Sequence, residues 1–154
     1  MNRAEHAAQP DATRLALDAT RHCLTGCAIG EIVGLVVSGA LGLTTEASVV
    51  AGIVLAFPFG YSLTFIPLLR GGMALGRAIG VTAAADTISI VVMESVDNLI
   101  VLFVPGAMAA GLTDALFWES LALGLVLAFA VAFPVNRWLI ARGRGHALVH
   151  GAHS

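Results

Sequence analysis

Lysine is absent from this chain of 154 residues. All 8 basic residues are arginines, and only 12% of residues are charged. A soluble domain carries about a quarter. The net charge of −2 and the lack of any basic block exclude nucleic acid as an expected partner. The 2 cysteines, Cys23 and Cys27, do not make a secreted disulfide framework. No Glu-x-x-His pair suggests a di-iron bundle, and there is no nucleophile elbow or phosphate loop. An enzyme is therefore the weaker expectation. The N-terminal stretch is polar for too long to read as a signal peptide, so the first apolar run is expected to stay in the mature protein.

What is present is apolar. Hydrophobic residues make up 58% of the chain, and the mean hydropathy is +0.89. Four apolar runs stand out, at 24–43, 49–69, 83–104 and 116–140. Each is close to the ~20 residues that a membrane helix needs. The fourth has Trp118 and Trp138 at its ends, about 30 Å apart on a helix, as expected of an interfacial aromatic belt. The expectation is an all-α, polytopic integral membrane protein built as a four-transmembrane-helix bundle. Residues 1–21 read as an N-terminal lead-in, 22–142 as the membrane domain and 143–154 as a His-containing tail. The lead-in is expected to be helical, with Asp11 as a candidate N-cap. The segment 70–80 reads as an interfacial connection.

The arginines predict orientation. Arg3, Arg14 and Arg21 precede the first run, and Arg70 and Arg77 lie between the second and third. Arg137, Arg142 and Arg144 follow the fourth, while the loops 44–48 and 106–114 have none. The positive-inside rule then places both termini in the cytoplasm, for a protein of the inner membrane.

Against this background the acids are conspicuous. Glu31, Glu94 and Asp97 fall inside runs that hold no arginine. A charge at a helix centre costs about 2.5–3.5 kcal/mol even on the mild insertion scale. Such carboxylates are neutral, bind a cation, face water or meet another subunit's cation. Counting depth from the cytoplasmic side puts Glu31, Tyr61 and Glu94 in one layer. Asp86, Met93 and Asp97 share a helical face, with Glu94 and Asn98 beside it. Cys23, Cys27 and Glu31 follow at i, i+4 and i+8, next to His22. Thiolate and thioether donors select soft ions such as Cu(I), and imidazole suits copper and zinc. His22, Cys23, Cys27, Glu31, Glu94 and Asp97 are the candidate metal ligands. Tyr61, Met93, Asn98, His146 and His150 are supporting residues, with His153 extending the tail.

Plainer roles compete. Gly26, Gly30, Gly34, Ser38 and Gly42 recur every four residues, a stripe that lets helix backbones approach closely. Cys23 and Cys27 also serve as small packing residues, since free cysteine behaves as a small hydrophobe. Met93 suits core filling, the tail suits a frayed terminus, and Pro58 and Pro67 suit a kinked second span.

Three blocks together, HCLTGCAIGE, ADTISIVVMESVDNLIVLFVPGAM and FPVNRWLIARGRGHA, resemble a family of small prokaryotic four-helix membrane proteins catalogued as a domain of unknown function. The resemblance implies a four-span domain over about 22–146. It also directs attention to Pro134, Asn136, Arg137, Gly143 and His146 besides the acids, thiols, His22 and Asn98. Some members of that family stand beside copper-handling proteins, which implies copper as the first ion to consider, with zinc or iron as alternatives. The expected function is binding or translocation of a transition-metal cation. The competing expectation is a non-catalytic subunit or assembly factor of a larger membrane complex. The expected partners are the lipid bilayer and further subunits, as a homo-oligomer or a larger complex.

Overall fold

The computed structural model describes residues 12–142. Four helices carry most of them: α1 Ala12–Leu41, α2 Thr45–Arg70, α3 Leu75–Phe103 and α4 Ala115–Ala141. All four are long and apolar enough to cross a membrane, and no strand occurs among the described residues. The chain is an all-α, multi-pass membrane protein. A membrane helix satisfies its own backbone, so long runs of Leu, Val, Ala and Ile can stay helical where water is absent.

The breaks between helices are chemical. Gly42 leaves α1 at φ +65°, a conformation that side chains resist. Thr44 then caps α2, its Oγ1 accepting the Ala47 N–H at 3.4 Å. On the arginine side, Gly72 turns the chain at φ +86° into α3. The segment from Val104 to Asp114 includes a 3-10 turn at Ala107–Ala109. Asp114 accepts the Gly111 N–H at 2.7 Å there, and the Trp118 indole donates to the Leu112 carbonyl at 2.9 Å. At the other end of α4 the Arg142 guanidinium lies 4.1 Å from the centre of the Trp138 ring.

Two helix starts differ from the sequence reading. α1 begins by Ala12, so lead-in and first span are one helix, and Asp11 lies outside the described residues. α3 begins at Leu75, so 75–80, the larger part of the expected 70–80 connection, is helix. Hydropathy marks where lipid begins, whereas a helix ends only where its hydrogen bonding is broken. α1, at 30 residues, reaches ~45 Å, well beyond a hydrocarbon core of ~30 Å. The division at 21/22 therefore falls inside α1.

Small residues hold the bundle together. α1 and α2 pack antiparallel, with Gly26 against Gly60, Gly30 against Ala56 and Gly34 against Gly52. A β-carbon on any of these three α1 glycines would overlap the α2 backbone. The stripe is thus a packing face within the chain, and Ser38 extends it, buried to 1% exposure. Gly42 does not, because it forms the turn. α2 answers with Gly52, Ala56, Gly60 and Thr64, and α4 buries Gly124, Ala128, Ala132 and Asn136. Large apolar side chains such as Val54, Leu102, Phe103 and Val126 face outward, as lipid contact requires. Asn136 ties three helices by donating to Thr20 on α1 and Ser89 on α3, each at 3.0 Å.

Candidate functional site: a carboxylate cleft

The face of α3 turned inward carries Asp86, Ser89, Ile90, Met93, Glu94 and Asp97. This is the 3.6-residue periodicity expected of it. Its partners divide it into three layers. Nearest the arginine-free loops, the Asp97 carboxyl faces Glu31 of α1 within hydrogen-bonding reach. Glu94 lies beside them, and its Oε1 and Oε2 are buried without a hydrogen-bond partner, as is Asp97 Oδ1. Glu94 and Asp97 are only 5% and 4% exposed. Two ionised carboxylates at such a separation repel, so the pair needs a shared proton or a cation between them.

These acids line a cleft of about 80 Å³ that reaches the Ala107–Ala110 turn. That is room for several waters or a partly hydrated ion. Ser48, Asn98 and Ser120 add oxygen atoms to its wall. Asn98 is steadied by its amide, which donates to the Glu94 carbonyl at 2.8 Å. On α4 the cleft is lined by Phe117, Ser120 and Leu121, and one turn on, where Gly124 has no side chain, the Asp97 carboxyl occupies the space.

The middle layer is apolar. Cys23, Cys27, Ala56, Ile90, Met93, Ala128 and Ala132 form one buried cluster. Met93 and the cysteines therefore pack in the core, as their plainer reading expects. Cys27 also adjoins Glu94. In the third layer, toward the arginine side, the Cys23 sulfur lies 3.9 Å from Asp86 Oδ1.

Residues 14–145 match the family described as Domain of unknown function (DUF4396). The chain belongs to that family. No curated protein and no solved structure matches it. The match spans all three layers, so the cleft is part of the family's domain. His146, His150 and His153 fall outside both the match and the described residues.

The remaining expected site residues are dispersed. His22 is exposed, and its Nδ1 bonds the Asp18 carbonyl at 2.7 Å. Its charge acts on Asp86, the acid beside Cys23, rather than on the cleft acids. Tyr61 also leaves the expected layer, its hydroxyl bonding Thr87 Oγ1 at 2.8 Å. The α1–α2 register explains this. Glu31 is level with Gly52, whereas Gly60, next to Tyr61, is level with Gly26. Depth counted from hydropathy edges misses by the turns that each helix adds beyond lipid. Among the described residues, no three His, Cys, Asp or Glu side chains converge on a point where they could hold a metal ion. Gly124, Thr64 and Ser89 were not singled out in the sequence. The four-residue spacing of small residues in α2 and α4 was the available signal for their helix faces.

Proposed function

We propose that this protein binds a small cation in the membrane, between Glu31 and Asp97, with Glu94 as the adjoining acid. The observation that carries the reading is the facing pair of carboxyl groups in a cleft whose helices bring no basic side chain to it. The cation is proposed to be a transition-metal ion. Two carboxylates with amide, hydroxyl and water oxygens suit a borderline divalent ion such as Zn(II) or Fe(II). Copper as Cu(I) would draw instead on Cys27, which adjoins Glu94, and on Met93 in the same core cluster as Cys27.

Arginine placement supports an inner-membrane protein with both termini cytoplasmic. The cleft would then open away from the cytoplasm. The Ile90–Met93 layer closes it below, so translocation would need that layer to part. The subunit reading gains less support, because Glu94 and Asp97 are enclosed by the chain's own helices rather than offered to a partner's arginine. A homo-oligomer remains compatible with the lipid-facing surfaces of so narrow a bundle.

The test is metal binding by the purified chain, using Zn(II), Fe(II) and Cu(I) in turn. Glu31→Gln and Asp97→Asn keep shape and remove charge. Each is expected to weaken binding at least ~10-fold. Binding as tight as wild type in both variants, or no binding by wild type, would overturn the proposal.

A further inference from the structure

We infer that the arginine-bearing end of the bundle binds anionic phospholipid headgroups, with Trp138 and Arg142 at the end of α4 as the clasp for one lipid phosphate. The inference is independent of the cation reading of the cleft.

Exposed charge is divided between the two ends. Arg14, Arg21, Arg70, Arg77, Arg137 and Arg142 are all exposed at one end, and every helix or its terminus supplies at least one. Among the described residues, Asp18 is the single exposed acid there. The opposite end exposes Glu46, Asp114 and Glu119 and, among the described residues, no arginine. The surplus of positive charge needs anions. At a membrane surface the anions at hand are lipid phosphates, and their attraction is worth about a factor of five per arginine. The type of cation fits as well. The chain uses arginine and no lysine. A planar guanidinium meets phosphate with two parallel N–H bonds, where an ammonium offers a point charge.

One arginine is held ready. The Arg142 guanidinium lies 4.1 Å from the centre of the Trp138 ring. Stacking fixes its plane and leaves its N–H edges free for an acceptor. Trp138 is 50% exposed while Leu139 and Ile140 beside it are buried, so the pair stands on the outer face of α4. Val131 and Leu127, about two and three turns along the same face, are exposed too and offer a track for an acyl chain. An interfacial indole settles at headgroup depth, which brings the guanidinium to the phosphates.

Quenching of tryptophan fluorescence by brominated lipid, which requires contact, tests this in the full-length chain reconstituted into bilayers. The chain has 2 tryptophans. Trp118→Phe therefore leaves Trp138 as the emitter, and Trp138→Phe leaves Trp118. Brominated phosphatidylglycerol and brominated phosphatidylcholine are compared at equal fractions of the bilayer. The site beside Trp138 is expected to favour phosphatidylglycerol about 5-fold, and Arg142→Gln to remove the preference. Arg142 is exposed, so glutamine there leaves the packing untouched. Trp118, at the acidic end, is expected to show no preference for phosphatidylglycerol. Equal quenching of Trp138 by the two lipids overturns the inference. So does a preference that survives Arg142→Gln or is matched at Trp118.

Discussion

Asp97 Oδ1 occupies the space that a β-carbon on Gly124 would fill. The absence of a side chain on α4 lets the acid of α3 sit beneath the cleft while it faces Glu31 from α1. One glycine thus sets the position of a carboxyl group on another helix. Gly124→Ala is expected to push that carboxyl aside and weaken cation binding at least ~10-fold, about 1.4 kcal/mol. Gly39→Ala is the matched control, since a β-carbon there meets nothing within 4 Å. Equal affinity in the two variants would show that the notch has no part in binding.

The α1–α2 contact gives a stability prediction. A β-carbon on Gly30 would overlap the Ala56 backbone, and backbone yields less readily than a flexible side chain. Gly30→Leu is expected to cost more than the ~1–3 kcal/mol of ordinary overpacking, because two helices must separate along their length. Thermal unfolding in detergent measures it. A midpoint unchanged from wild type would mean that the two backbones do not touch there.

Asn136 supplies a polar test within the packing. Asn136→Leu removes two hydrogen bonds to Thr20 and Ser89. Interhelical bonds of this kind average ~0.6 kcal/mol in membrane proteins and reach ~1.7. The expected loss is therefore about 1 kcal/mol, and a double-mutant cycle with Ser89→Ala should show coupling. Additive losses would mean that the bond to Ser89 contributes nothing.

Orientation is tested by reporter fusions. If the positive-inside rule sets the orientation, a fusion after Ser154 should report a cytoplasmic location, and one in the 106–114 loop an external one. The reverse result would turn the cleft toward the cytoplasm.

The order of these outcomes reflects how the site was legible. Glu31, Glu94 and Asp97 could be found from composition alone, because a carboxylate among lipid-soluble residues is costly wherever it lies. The glycine stripe of α1 was legible too, since four-residue spacing marks one side of a helix. What spacing cannot give is the register of one helix against another. Tyr61 shows this. Its depth along its own helix put it with Glu31, yet the sliding of α2 against α1 sends it to Thr87.

Sequence by itself determined that this chain carries four runs long and apolar enough to cross a membrane, and that Glu94 and Asp97 fall within them, because hydropathy and the cost of charge are local properties. Tertiary structure decided which acids meet. Only the packing of small residues brings Asp97 to Glu31 beside Gly124, sets Cys23 against Asp86, and places an apolar layer between two polar ones. The reason is physical. Helices in lipid associate through close contact of their backbones, so their relative register is fixed by shape complementarity between distant segments and not by either segment alone.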